Sequence, residues 1–425
     1  MQLTATWLPA DQPDPQQEHY LRVATTAGSY LITHDGAKIY DAISSWWCKP
    51  LGHAHPIIQH SLKQQLALFD HHIPAKAWNE TIENLSRKLV SFFPSMDKVM
   101  YASDGSSAME IAMKLSYETR VLAGQPEKHK FIALSGAYHG ETILTLSVCG
   151  INSYTANYQR LLAENYFIDA IPYVSGKHDP LWHDCQFDFA QWKEFFAHHA
   201  PLATALILEP IVQGALGMKI ISADFLRKII ALAKKYNLHI IADEIMVGLG
   251  RLGCYSVCYE MLNVEPDIAC FAKNLTAGSI PMSAVVINRS ISDVFRNQQQ
   301  VFHHSHTHSC NGLAAAIANS YLDYLATSDL LGQVKQAEIR LVELITKLAK
   351  QFSFVDNPRA IGAIAACELN LPQTILGQIH QLALAEQLYL RLIGTTLYIL
   401  PPLYNLATDL EIIQAKLVSL LRKLA

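Results

Sequence analysis

The sequence predicts an α/β fold with a mostly parallel central sheet in a large domain, plus a smaller α+β domain. Three observations predict it. Short apolar runs at 98–101, 131–134, 205–208, 239–242, 268–271 and 284–287 punctuate the chain from about residue 60 to 290. Most are rich in branched side chains, as strands buried on both faces are. Amphipathic stretches such as 107–122 and 223–236 lie between them, and strand–helix alternation over this length implies a parallel sheet. From about residue 311 the pattern changes to long helical stretches with few strands.

Taken in order, the first fifty residues carry hairpin-like signals in Gly28-Ser29-Tyr30-Leu31-Ile32-Thr33-His34-Asp35-Gly36. They are expected to pack with the C-terminal part. Beyond the alternating region, 313–325 and 330–352 read as helices, 363–369 and 396–400 as short strands, and 409–424 as a final helix. The expected division is an N-terminal segment 1–50, a large domain 51–310 and a small C-terminal domain 311–425. A length of 425 residues suggests roughly two to three domains.

Composition excludes several classes. Apolar residues make up 50% of the chain, too many for a disordered or collagen-like protein. Lys plus Arg is 33 against 37 for Asp plus Glu, so no basic excess drives nucleic-acid binding. The start, 1–15, has no basic and apolar signal pattern, and no run of 18 apolar residues suggests a membrane span. Eight scattered cysteines without a C-x-x-C pair read as reduced thiols in a cytoplasmic protein.

In an open parallel sheet, ligands bind at the carboxyl ends of the strands. After Met100-Tyr101 comes Ala102-Ser103-Asp104-Gly105-Ser106-Ser107 and then a helix. Gly105 and Ser106 at a helix N-terminus make a seat for an anion such as a phosphate; an ordinary Ser or Asp N-cap is the other reading. Asp243 follows the 239–242 run and Lys273 follows the 268–271 run. A buried Lys pairs with an anion, has a lowered pKa or is covalently modified. The two could surround one ligand or form a structural salt bridge. Tyr138 stands in Ser135-Gly136-Ala137-Tyr138-His139-Gly140, where flanking glycines let an aromatic approach a flat ligand; core packing is the alternative. Together these residues match the needs of pyridoxal phosphate (PLP). Lys273 would hold its aldehyde as a Schiff base, Asp243 would keep the pyridine nitrogen protonated, and the Gly105-Ser106 helix start would hold the phosphate.

The stretch from Leu238-His239-Ile240-Ile241-Ala242-Asp243-Glu244 to Gly248-Leu249-Gly250-Arg251, with Pro266-Asp267-Ile268 and Ala272-Lys273, closely resembles the class III aminotransferase signature of fold-type I PLP enzymes. The resemblance runs from about Asp35 to the C-terminus. Ser44-Ser45-Trp46-Trp47, Tyr138-His139-Gly140-Glu141-Thr142, the segment from Glu209-Pro210 to Gly214-Ala215, and Arg391-Leu392-Ile393-Gly394 through Tyr398 to Pro401-Pro402 resemble the biotin-synthesis branch of that family. The resemblance implies transamination of 8-amino-7-oxononanoate to 7,8-diaminononanoate, with S-adenosyl-L-methionine as the expected amino donor. It implies catalytic roles for Lys273, Asp243 and Tyr138. Trp46, Trp47, Tyr138, Lys273 and Ser305 would contact substrate, and Arg391 would grip the substrate carboxylate, a contact suited to its planar guanidinium. His306 and Thr307 would bind cofactor, Thr307 through the phosphate in the partner subunit of a homodimer with a shared active site.

Three stretches depart from the branch pattern. Ala10 in Trp7-Leu8-Pro9-Ala10 stands where a Tyr is expected, Glu141 where Asp is frequent, and only His304, Thr307 and Asn311 hold the pattern of the 302–312 segment. These departures point to the alternative, another class III aminotransferase with an ω-amino acid, ornithine or lysine-type donor. His303, His304, His306 and His308 form a dense cluster, and a zinc hydrolase would be built on it. Catalytic zinc wants three ligands converging from fixed elements, and no Cys, Asp or Glu is spaced beside these histidines, so no metal is expected. His53, His55, His71 and His72 read as turn and helix-start residues. A non-catalytic binding protein on the same fold is the third rival, and the retained Lys273 and Asp243 argue against it.

Overall fold

A computed structural model describes residues 6–11, 20–186 and 189–424. Its large sheet has seven strands: β1 (Met96–Ala102), β2 (Lys130–Leu134), β3 (Tyr166–Ile168), β4 (Ala203–Leu208), β5 (His239–Asp243), β6 (Ile268–Phe271) and β7 (Ser283–Asn288). The spatial order is β1-β7-β6-β5-β4-β2-β3. All neighbours are parallel except where β7 runs antiparallel to β6 and to β1. Every residue of β4 and β6 is buried, because helices cover both faces of such a sheet. At roughly 1.5–3 kcal/mol for each fully buried aliphatic side chain, these strands hold the frame on which the site is built.

Helices α1 (Gly105–Leu122) and α2 (Ala223–Lys235) connect strands of this sheet and are N-capped by Asp104 and Ser222. Helix α2 turns Phe225, Leu226, Ile229, Ile230 and Ala233 inward, a spacing of three and four residues that makes one apolar stripe. Helices α3 (Gly312–Thr327) and α4 (Leu330–Gln351) lead into a four-stranded antiparallel sheet of Val355–Ile361, Ile364–Leu369, Thr396–Ile399 and Leu392–Ile393, and α5 (Leu406–Leu424) ends the described chain. The N-terminal strands Val23–Ala27, Tyr30–Thr33 and Lys38–Asp41 form an antiparallel set whose last member pairs in parallel with Leu388–Tyr389.

Several strands lie outside the apolar runs of the sequence, among them Tyr166–Ile168 and Val355–Ile361. Tyr166–Ile168 is a three-residue edge strand, too short for a periodicity to show. Val355–Ile361 contains Asp356-Asn357-Pro358, a turn signal. A register shift between Asp356 and Arg359 accommodates it, and Asn357 takes the left-handed conformation, φ 46°, as β-bulges permit.

Candidate active site

The site forms at the carboxyl edge of the large sheet. Strand β5 ends in Asp243, whose register partner on β6 is Cys270, so the residues just beyond β6, Ala272 and Lys273, project at the same edge. With the start of α1 and the Tyr138 loop after β2, they line a cavity of about 390 Å³.

Asp243 is buried and does not pair with Lys273. Its Oδ2 lies 2.8 Å from His139 Nδ1, and its Oδ1 accepts the Ile245 N–H at 3.1 Å. The salt bridge that the sequence left open is therefore an Asp–His pair. His139 is itself buried, and its Nε2 has no hydrogen-bond partner among the described residues. Lys273 begins a short 3-10 turn with φ 42°. Among the described residues it makes no ion pair, and burial pushes its ammonium below the ordinary range, opposed by Asp243, Glu209 and Cys48. A desolvated amine of this kind is the usual form of a nucleophilic or proton-transferring Lys.

Glu209 directly follows β4, at the same edge where Asp243 ends β5. It accepts the N–H groups of Tyr138 and Gly214, each at 3.0 Å. Burial pushes its carboxyl up to about 7; His139 opposes the shift and Asp243 reinforces it. Two carboxyl groups thus stand at one sheet edge in different states of support.

At the head of α1, Asp104 Oδ1 accepts the Ser107 N–H at 2.9 Å. The N-cap reading holds, and Gly105 and Ser106 line the cavity, where the first amides of a helix have no intrahelical partner. Gly140 makes the approach of the Tyr138 loop possible. Its φ is 127°, and a Cβ there would collide with the Ser106 side chain. Tyr138 donates its hydroxyl to Glu141 Oε1 at 2.7 Å; burial, then Glu141, push the phenol well above its ordinary range.

Trp47 lines the cavity. Lys273 Nζ stands 5.3 Å from its ring centroid, and its Nε1 donates to Tyr398 Oη at 3.1 Å. Trp46 is half exposed and carries the Arg391 guanidinium 4.8 Å above its ring. Ser305, His306 and Thr307 do not line the cavity. His306 Nε2 lies 3.1 Å from His304 Nε2, and the Thr307 carbonyl is 2.9 Å from His71 Nε2. Trp7 and Ala10 are exposed and away from the cavity lining. No group of three His, Cys, Asp or Glu side chains is arranged for a metal among the described residues. His55 caps the helix Pro56–Leu66, but His53 is a buried partner of Asp41, and His71 and His72 lie in a loop ahead of the next helix.

Sequence reasoning missed His139, Glu209 and the 278–282 wall. Glu209 had the same signal as Asp243, a charge at the end of a fully apolar strand. His139 stood beside Tyr138 without a visible partner, because Asp243 is 104 residues away. The wall residues 278–282 carry no chemical signal in sequence.

The chain is similar to known proteins over nearly its whole length. The family described as aminotransferase class-III matches residues 12–421. An adenosylmethionine-8-amino-7-oxononanoate aminotransferase from Synechococcus elongatus is 33% identical over 98% of this chain and 98% of its own length. One of the same name from Helicobacter pylori is 31% identical over 100% of this chain and 97% of its own. Among solved structures, an amine transaminase from an uncultivated Pseudomonas species in a PLP-bound form superposes with a TM-score of 0.88 at 27% identity, covering 97% of this chain and 98% of that one. The adenosylmethionine-8-amino-7-oxononanoate aminotransferase of Methanocaldococcus jannaschii gives 0.86 at 25% identity, covering 99% and 97%.

Proposed function

This chain belongs to the class-III aminotransferases, which depend on PLP, and from that premise we propose that it converts 8-amino-7-oxononanoate to 7,8-diaminononanoate in biotin biosynthesis with S-adenosyl-L-methionine as amino donor. The observation that carries the reading is the convergence on one cavity of a desolvated Lys273, the Asp243–His139 pair, the head of α1 and Trp47; the neighbouring Trp46 stacks on Arg391, and neither of these two lines the cavity. These residues fit PLP: the cavity offers an amine for its aldehyde, a carboxylate for its ring nitrogen and helix amides for its phosphate, and the unpartnered His139 Nε2 marks a polar interior.

When bound, PLP supplies an electron sink for the substrate carbon. The protein's own groups do the rest. Gly105 and Ser106 hold the phosphate on free amides. Asp243, oriented by His139 Nδ1, keeps a proton on the ring nitrogen. Tyr138 and Trp47 line the cavity and help exclude water from it. Lys273, disfavoured as an ammonium by burial, takes a proton from the substrate carbon and returns one as general base and acid. Arg391, stacked on Trp46, takes the carboxylate of the keto substrate through its planar fork. Ser305 contacts substrate, and His306 and Thr307 serve the cofactor of a partner subunit in a homodimer. A cytoplasmic location fits eight cysteines that form no disulfide among the described residues, and no helix among the described residues is long and apolar enough to cross a membrane.

A half-reaction tests the donor. The PLP-loaded enzyme is mixed with S-adenosyl-L-methionine, lysine or glutamate, and the visible absorbance of the cofactor is followed. Loss with S-adenosyl-L-methionine and recovery on adding 8-amino-7-oxononanoate support the proposal. Loss with lysine alone moves the donor. Failure of 8-amino-7-oxononanoate to restore the band favours another amine transaminase, the activity named for the Pseudomonas relative. Arg391→Ala should raise the apparent dissociation constant for 8-amino-7-oxononanoate at least about tenfold, somewhat under the roughly thirtyfold lower end for a fully buried ion pair, because Arg391 is only partly buried. Unchanged affinity removes Arg391 from the site.

A further inference from the structure

The turn Ser44–Trp47 has a conformation that its residues do not favour. Ser44, Ser45 and Trp47 have φ of 53°, 60° and 65°, in the left-handed region that side-chain-bearing residues rarely enter. Such strain persists only where the surroundings impose it. Here the imposing group is the carboxylate of Asp41. It accepts the N–H of Ile43 at 3.2 Å and of Ser45 at 2.6 Å, and its Oδ2 meets His53 Nε2 at 2.9 Å. Both side chains of this pair are buried. His53 is anchored in turn by two backbone hydrogen bonds with Gly28, at 3.0 and 2.6 Å. On the far side of the turn, Ser44 Oγ donates to the Leu400 carbonyl at 2.7 Å.

The consequence is geometric. With the turn held this way, the two adjacent indoles serve different groups: Trp46 lies under Arg391 and Trp47 lies beside Lys273 and Tyr398. A relaxed turn would not hold both. We propose that Asp41, oriented by His53, is a positioning residue for recognition of the carboxylated substrate: it locks the Ser44–Trp47 turn so that Trp46 backs Arg391 while Trp47 covers Lys273. The proposal rests on the reading of Arg391 as the carboxylate site. An Asn at position 41 would be isosteric but would turn one acceptor into a donor, against an amide N–H or the imidazole.

The test uses PLP-loaded full-length Asp41→Asn, with Trp46→Ala and the double variant. Asp41→Asn should raise KM for 8-amino-7-oxononanoate at least about tenfold, with a smaller fall in kcat. Acrylamide quenching of tryptophan should increase in the same variant. If Asp41 acts through Trp46, the double variant should be within about twofold of the worse single variant, as coupled sites are not additive. An unchanged KM, or a double variant whose loss is the product of the two singles, overturns the proposal. Should Asp41→Asn fail to fold or retain PLP, His53→Gln decides: at least about a threefold rise in KM with increased quenching supports it, and a lowered melting temperature with unchanged KM overturns it. If the parent enzyme does not use 8-amino-7-oxononanoate, the proposed function fails by itself. KM for the carboxylated acceptor it does use, together with quenching, then decides on Asp41.

Discussion

Two neighbouring acids show how environment assigns different work to the same chemistry. Asp243 faces the cavity and shares His139; Asp243→Asn removes the anion and should lower kcat more than about a hundredfold, roughly 2.7 kcal/mol in the barrier, with little change in substrate affinity. Single-turnover rates would measure it, and a loss under about tenfold would make Asp243 structural. Glu244 points the other way, into the protein. It accepts the Ser256 hydroxyl at 2.7 Å and the N–H groups of Val257 and Cys258, both at 2.8 Å, so its work is to hold the start of the short helix Val257–Glu260 rather than a substrate. Burial pushes its carboxyl up to about 7 from an ordinary 4.5, against those hydrogen bonds. A folded-state value above the unfolded one means that the protonated form favours folding. That contribution is full below about pH 4.5 and is lost as pH rises to about 7. Melting temperatures of the parent and Glu244→Gln, measured across this window, should therefore show the parent losing ground as pH rises; a gap that moves in the parent's favour would show that the ionised form is the stabilising one. Both acids were visible in sequence as charges after an apolar run. Asp243 is the one assigned to the ligand from sequence, and it lines the cavity; the deep partners of Glu244, on the opposite side of the strand, are not visible there.

The elements place these groups, and the loops between them decide how closely they approach. Gly105 and Gly140 both lie against the anion seat, yet they differ in tolerance. A Cβ on Gly105 would meet the end of the Ile245 side chain at 2.9 Å, a flexible neighbour, and the position is helical. A Cβ on Gly140 would collide with Ser106 and come within 2.9 Å of Thr145 Oγ1, at a φ of 127°. Gly140→Ala should therefore weaken PLP retention by about tenfold or more, equivalent to roughly 1.4 kcal/mol, while Gly105→Ala costs less; equilibrium dialysis of the cofactor compares them. Equal retention would mean that the Tyr138 loop can move without disturbing the seat. The strands and long helices of this region were legible because their periodicity is local. Apolar runs at 205–208 and 268–271 fall within β4 and β6, and the amphipathic 223–236 stretch lies over α2. The bulged strand Val355–Ile361 was not legible, since Pro358 and Asn357 read as a turn until the neighbouring strand imposes its register.

At the scale of the whole molecule, a buried guanidinium joins the C-terminal sheet to the 217–219 turn, where the strand Lys219–Ile221 of a small three-stranded sheet begins. Arg359 pairs with Glu368 through Nη1 at 2.7 Å and donates through Nε to the Met218 carbonyl at 2.9 Å, and Lys219 holds the other oxygen of Glu368 at 2.7 Å. The 217–219 turn follows the segment that carries Glu209, so this junction steadies one wall of the site. Arg359→Ala should destabilise the protein by about 3 kcal/mol, the lower end for breaking a buried pair because Lys219 remains. Urea denaturation measures it, and a loss below about 1 kcal/mol would show that the junction behaves as a surface pair. The sequence alone determined the fold class, the family resemblance, and the chemistry available at the strand ends, because burial of a strand and the residue types at its end are written within a few consecutive positions. Only the tertiary structure decided who partners whom. It joined Asp243 to His139, 104 residues away, and Trp47 to Tyr398, 351 residues away, and it forced Ser44 to Trp47 into a turn their own preferences oppose. Those choices depend on contacts that close only when distant elements pack, and such contacts leave no period along the chain.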